Sequence, residues 1–426
     1  MAIYGYIKRL FRNNGKVVEN YVFMTVLQVL NMCFYLIVYP VLISRLGDTG
    51  FGTYVFAWSV TCIFMAAVNF GFDMPCAKHI ARIVAEGGSR ERLGEVLAAV
   101  QTAKILLEAL VTLVFVVLLL TVPFMRDNRL VFAVGFAQTL SCILFPQWYF
   151  QGVQRMRVVT FIQLAGKLLT LPFIFLFLHT PDDVWLFMLI NTVASLLGAV
   201  AAWLLVRFKD GVPMPLVPVR AVVPYCVEAT PFFLTNVMAI AKEQGVVLLT
   251  GSFLGMADVA VYDLANKIVT VPRIMLLKLN EALFPKIVVS STPRQVRRIM
   301  YAEALLGLAV VALVAAVGKW LVLWLGHGQL PMAYPVSVIL STTVLFWLLG
   351  TAFIDFVFIP ANRRYLVTAN QVVALVTCLA AVFVWLFLRP SVYGVAAGLA
   401  LSGMCEVVFC AVVTYKERLL QLKKVC

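Results

Sequence analysis

Residues 44–57 read SRLGDTGFGTYVFA, and residues 252–265 read SFLGMADVAVYDLA. Ser44, Leu46, Gly47, Tyr54 and Ala57 return as Ser252, Leu254, Gly255, Tyr262 and Ala265, an offset of 208 residues in a chain of 426. At the same offset Phe150 and Arg155 fall on Phe358 and Arg363. Each copy of the longer motif sits at a turn between two apolar runs. Six runs separate the copies, an even number, so both keep one orientation. The halves are therefore expected to be parallel repeats related by a pseudo-two-fold axis along a membrane normal.

The runs themselves lie at roughly 20–44, 53–75, 96–121, 130–148, 158–179 and 184–206, then 228–252, 259–284, 300–325, 334–358, 366–388 and 392–414. Each is long enough to cross a hydrocarbon core of about 30 Å as a helix, in which every backbone group is paired within its own segment. The composition agrees, with 63% hydrophobic and 13% charged residues. The expected fold class is an all-α integral membrane protein of about twelve transmembrane helices in two six-helix lobes. Boundaries follow: an amphipathic N-terminus (1–18), an N-lobe (19–206), the Pro-rich linker RFKDGVPMPLVPVR (207–220), a C-lobe (221–415) and a tail (416–426).

Lys and Arg fix the orientation, because they are retained on the cytoplasmic side. With the N-terminus inside, the inner connections hold 23 of the 34 basic residues, among them Lys8, Lys78, Arg155, Arg220, Arg298, Arg364 and Lys416. The outer ones hold Arg45, Arg126, Arg129 and Arg389. Both termini are thus expected to be cytoplasmic. Topology and attraction to anionic membrane lipids account for the net charge of +14, so no nucleic-acid partner is expected. Nine scattered cysteines without a CxxC pair, three distant histidines and the lack of GxxxxGK[ST] give no metal site, no cofactor and no nucleotide drive.

Charge at mid-depth is expensive in a bilayer, and so marks function. Lys167 lies nine residues into the fifth run counted from Val158, Lys267 nine after Asp258, and Lys242 ten before Ser252. Those three, with Lys104 and Arg273, are the candidate cavity cations; Glu108, Glu243, Asp263 and Glu406 are the deep anions. Adjacent helical positions point about 100° apart, so Lys242 and Glu243 must address different surroundings. Five cations against four anions describe a slightly basic chamber suited to an anionic ligand such as a lipid pyrophosphate. The acids are candidates for H⁺ or Na⁺ coupling. No residue is cast as catalytic.

The stretches ISRLGDTGFGTYVFAWS (43–59), FPQWYFQGVQRMR (145–157), EATPFFLTNV (228–237), LLTGSFLGMADVAVYDLANKI (248–268) and LFPKIV (283–288) resemble the polysaccharide flippase family, Wzx-like O-antigen transporters of the multidrug/oligosaccharidyl-lipid/polysaccharide superfamily. The resemblance implies a MATE-like pair of six-helix lobes in the bacterial inner membrane. It implies passage of undecaprenyl-pyrophosphate-linked oligosaccharides from the cytoplasmic to the periplasmic leaflet, with polysaccharide polymerase and chain-length machinery as partners. By position, Arg45 matches the basic residue before the family's Leu-Gly turn, Glu243 the acid of the seventh span, and Asp73 the residue after a Gly-Phe at the end of span two. Lys242 departs from that pattern.

Two other readings compete. A drug or metabolite exporter of the same superfamily would favour a net acidic chamber for cationic drugs. A membrane-embedded polymerase or glycosyltransferase would place its chemistry on a large extramembrane loop, whereas no connection here exceeds about twenty residues.

Overall fold

The computed structural model describes residues 15–213, 217–290, 293–361, 363–417 and 419. Most of the amphipathic N-terminus, residues 214–216 of the linker and the tail beyond 419 lie outside the described residues, as do the side chains of 15–18, 20–22, 277–290, 293 and 364. Among the described residues there is no strand. Twelve longer helices follow in order: α1 (Gly15–Asn69), α2 (Asp73–Ala85), α3 (Arg90–Thr121), α4 (Arg129–Ala137), α5 (Met156–Phe177), α6 (Val184–Leu204), α7 (Val223–Phe253), α8 (Met256–Ser290), α9 (Pro293–Leu325), α10 (Ala333–Phe353), α11 (Arg364–Leu388) and α12 (Val392–Lys416).

The chain is a multi-pass membrane protein. Among the described residues ten helices are long and apolar enough to cross a bilayer. The first of them, Phe23–Asn69, is two spans in one helix broken at Gly47, where φ is 70° and ψ is −179°. Only a residue without Cβ holds that conformation cheaply. The helix α8 is long enough at 35 residues, but Asp258, Asp263, Lys267 and Arg273 in its first half make it too charged to register by hydropathy.

By contacts the chain forms two compact units, Met1–Val41 with Val60–Val237, and Leu42–Ser59 with Met238–Cys426. The division does not simply follow the linker. The turn containing the first copy of the repeat packs within the second unit, while the first half of α7 packs within the first.

The core of the first unit gathers the aromatic motif Trp148, Tyr149 and Phe150, all within 2% of full burial, with Phe72, Ile80, Leu97, Val159 and Val206. The second unit has its counterpart in Phe353, Phe356, Val357, Phe358 and Leu366. The offset seen in the sequence is repeated in the backbone here. Arg155 N–H donates to the Phe150 carbonyl at 2.8 Å and Arg363 N–H to the Phe358 carbonyl at 3.0 Å, and each arginine caps the start of the next helix, α5 or α11. The aromatic motif is therefore a packing device that seats the following arginine.

Candidate functional site

In the second unit, three helices bring charge together inside their apolar stretches. Lys242 and Glu243 lie on α7, eleven and ten residues before its end at Phe253, hence about 16 Å along the axis. Lys242 forms an ion pair with Glu406 of α12, whose side chain is 14% exposed. Glu243 turns the other way and meets Arg273 of α8 at 3.1 Å. The two adjacent residues thus address different partners, as their helical spacing requires. Their surroundings differ too, since Glu243 is 57% exposed. Asp263 is buried and Lys267 half-buried, one turn apart on α8.

In the first unit, Lys104 of α3 is 2% exposed. Its ammonium donates at 2.9 Å to the side-chain oxygen of Asn69, the last residue of α1, and at 2.9 Å to the Cys142 carbonyl. That amine is satisfied within the protein and does not climb to a headgroup layer. One turn along, the Glu108 carboxylate accepts from the Thr139 hydroxyl at 2.6 Å. Its other oxygen is buried without a hydrogen-bond partner. Lys167 of α5 is half-buried, its ammonium 4.9 Å from the Phe34 ring centre and 5.0 Å from that of Tyr35, both on α1. These are cation–π distances.

Arg45 is half-buried two residues before the Gly47 break. Asp73 is exposed at the first position of α2, where an acid complements the positive helix end. Among the described residues no group of three or more His, Cys, Asp or Glu side chains is placed to hold a metal ion.

Six residues escaped the sequence reading. Asn69 and Thr139 are small polar residues in apolar runs, a weak signal alone. Phe34 and Tyr35 read as ordinary span residues. His79 and Glu228, 2.6 Å apart, lie 149 positions apart in the chain, beyond any local pattern. They join α2 to the start of α7, where Phe70 also stacks on Phe233 at 4.3 Å.

Comparison with known proteins adds three findings. A family described as "Polysaccharide biosynthesis protein" matches residues 17–290. Two curated relatives, each named "Putative O-antigen transporter", are 23% identical over 63% of this chain, from Escherichia coli (strain K12), and 22% identical over 52%, from Shigella dysenteriae. The alignments span 64% and 54% of those relatives' own lengths. Among solved structures, an inward-facing multidrug resistance MATE family transporter of the MOP superfamily superposes with a TM-score of 0.74 at 13% identity, over 92% of this chain and 96% of that one. At that identity the likeness establishes a shared fold.

Proposed function

We propose, on the premise that the chain belongs to the polysaccharide biosynthesis protein family matched over residues 17–290, that it transports lipid-linked oligosaccharide across the bacterial inner membrane. The cargo in this reading is an undecaprenyl-pyrophosphate-linked repeat unit. It moves from the cytoplasmic to the periplasmic leaflet by alternating access, with both termini of the protein inside. A polysaccharide polymerase and chain-length machinery would take the product onward.

The observation that carries the reading is the pairing of Lys242 with Glu406 and of Arg273 with Glu243. Intramembrane charge is retained where it is used. A pyrophosphate is a stronger partner for an ammonium or guanidinium than a single carboxylate, because it offers more anionic oxygens and greater charge. Its arrival at Lys242 would release Glu406, which is the acid this reading offers for H⁺ or Na⁺ coupling. The pyrophosphate and Glu406 would then compete for Lys242, so that substrate occupancy and the state of that acid depend on each other at one ion pair. Arg45, Lys104, Lys167 and Lys267 are the further candidate cations in this reading. Asp73, Glu108 and Asp263 are the further candidate acids.

The test is deletion of the gene. Lipid-linked repeat units should accumulate in the inner leaflet and surface polysaccharide should fall; unchanged surface polysaccharide would count against the proposal. A drug-exporter reading rests on the shared fold alone. Uptake assays with organic cations separate the two, since a chamber built around Lys242 and Arg273 should leave such cations untransported.

A further inference from the structure

The first leg of α1 carries exposed residues on two opposite faces, Met24 and Tyr35 on one of them beside the half-buried amides of Gln28 and Asn31. Val26, Val29, Leu30, Cys33 and Ile37 form one stripe, spaced for a single helical face and wholly apolar. Met24, Gln28, Asn31 and Tyr35 form the other, at i, i+4, i+7 and i+11, about 200° around the helix. Lipid explains the apolar stripe. It does not explain a mid-span stripe of two amides and a tyrosine. Tyrosines that serve lipid sit at the membrane interfaces, whereas Tyr35 is twelve residues from both Phe23 and Gly47, about 18 Å from each.

Helix α5 presents the matching face. Thr160, Gln163, Lys167 and Thr170 share one side of it, while Phe161, Leu168, Leu169 and Leu176 are exposed elsewhere. The contacts settle which side meets α1: the Thr160 hydroxyl donates to the Phe23 carbonyl at 3.3 Å, and the Lys167 amine lies over Phe34 and Tyr35. The Tyr35 residue remains 42% exposed. The Asn31 side-chain oxygen on the same stripe is buried without a hydrogen-bond partner.

An exposed aromatic flanked by amides and an ammonium is a chemistry suited to one ligand class. A pyranose has an apolar C–H face that packs on an aromatic ring and a rim of hydroxyls that donate to and accept from amides. We infer that the α1–α5 face bearing Gln28, Asn31, Tyr35, Gln163 and Lys167 is a sugar-binding subsite for the glycan of the transported lipid. The inference rests on the transport reading above and assigns a sugar contact to the first unit.

The purified full chain in lipid nanodiscs tests it with two probes, undecaprenyl pyrophosphate bare and the same lipid carrying the strain's own oligosaccharide. Loss of one aromatic packing face should weaken the glycan-bearing lipid about tenfold in Tyr35→Ala and leave the bare lipid within about twofold of wild type. Tyr35→Phe should behave as wild type for both. Gln163→Leu provides a second variant should Tyr35→Ala fold poorly, and should show the same selective loss. Equal loss for both lipids, or no loss for either, overturns the subsite. Should the wild-type chain bind neither lipid, the transport reading falls, and the subsite with it.

Discussion

Gly47 and Gly255, 208 positions apart, both hold a positive φ, 70° and 109°. Each divides two long helices, the legs of α1 in one case and α7 from α8 in the other. Both sit within the second unit and pack close to each other's neighbours: a Cβ on Gly52 would collide with the Met256 carbonyl, and one on Gly251 with the Phe56 ring. The duplicated motif thus encodes a turn and also the surface on which its two copies meet.

Gly47 has open space where a Cβ would go, so any penalty on substitution comes from the backbone alone. Its ψ of −179° lies in a region essentially closed to other residues. Gly47→Ala should therefore cost about 1–3 kcal/mol. A lower midpoint in a detergent thermal-stability assay checks this. An unchanged midpoint would mean the turn can relax into another conformation.

Gly52 tests packing instead. Its obstacle is the Met256 backbone, which cannot rotate aside as a side chain can. Gly52→Ala should then cost about 3 kcal/mol or more, the upper end for overpacking, and so exceed Gly47→Ala. The comparison is made in the same melting assay, and the reverse order would refute the close approach.

The ion pair between Lys242 and Glu406 makes a prediction about coupling between substitutions. Lys242→Met alone strands a carboxylate that is 14% exposed, and should destabilise by about 3 kcal/mol. The double variant Lys242→Met with Glu406→Gln removes both charges and should recover most of that loss. Transport should stay absent in the double variant, because the proposed ligand for pyrophosphate is gone. Melting curves and complementation of a deletion strain read the two effects separately.

Arg155 and Arg363 are repeat partners with unequal roles. Arg155 holds Asp210 through two nitrogens at 2.7 and 2.9 Å, and Tyr149 donates to the other oxygen of that carboxylate at 3.0 Å. The Asp210 side chain is 7% exposed and that of Arg155 43%. Arg363 meets Glu417 at a longer 3.7 Å, the two side chains being 47% and 29% exposed. Arg155→Ala should cost about 1–3 kcal/mol, because it strips the buried Asp210 carboxylate of its charged donor, and Arg363→Ala no more than about 1 kcal/mol. Equal melting shifts would show that burial of Asp210 does not govern the difference.

Which features were readable in the sequence follows from how local their causes are. The spans were legible because a bilayer demands about twenty apolar residues in a row, and the repeat because Gly47 and Gly255 answer a backbone requirement that few residues meet. The opposed directions of Lys242 and Glu243 followed from helical geometry. Their partners did not: Glu406 lies 164 positions from Lys242, and only packing chooses among the deep charges. Lys104 stands between snorkelling and burial at its depth, and Asn69 with the Cys142 carbonyl decides it. The charges of α8 hid that span from hydropathy while the run of residues 259–284 still revealed it.

Glu108 separates stability from transport most sharply. Its carboxylate has one hydrogen-bond donor, Thr139, and a second oxygen with none, in a place only 7% exposed. A buried acid so poorly supported is costlier than an apolar side chain of similar size. The Thr139 hydroxyl loses nothing by its removal, since it also lies 2.7 Å from the Phe136 carbonyl and can donate there. Glu108→Leu should then melt at or above the wild-type temperature, whereas transport should fall at least about tenfold, the exchange expected where a destabilising group is kept for function. Complementation and melting on the same variant decide it. Full transport with a lowered midpoint would make Glu108 a structural residue, and would remove it from the candidate acids.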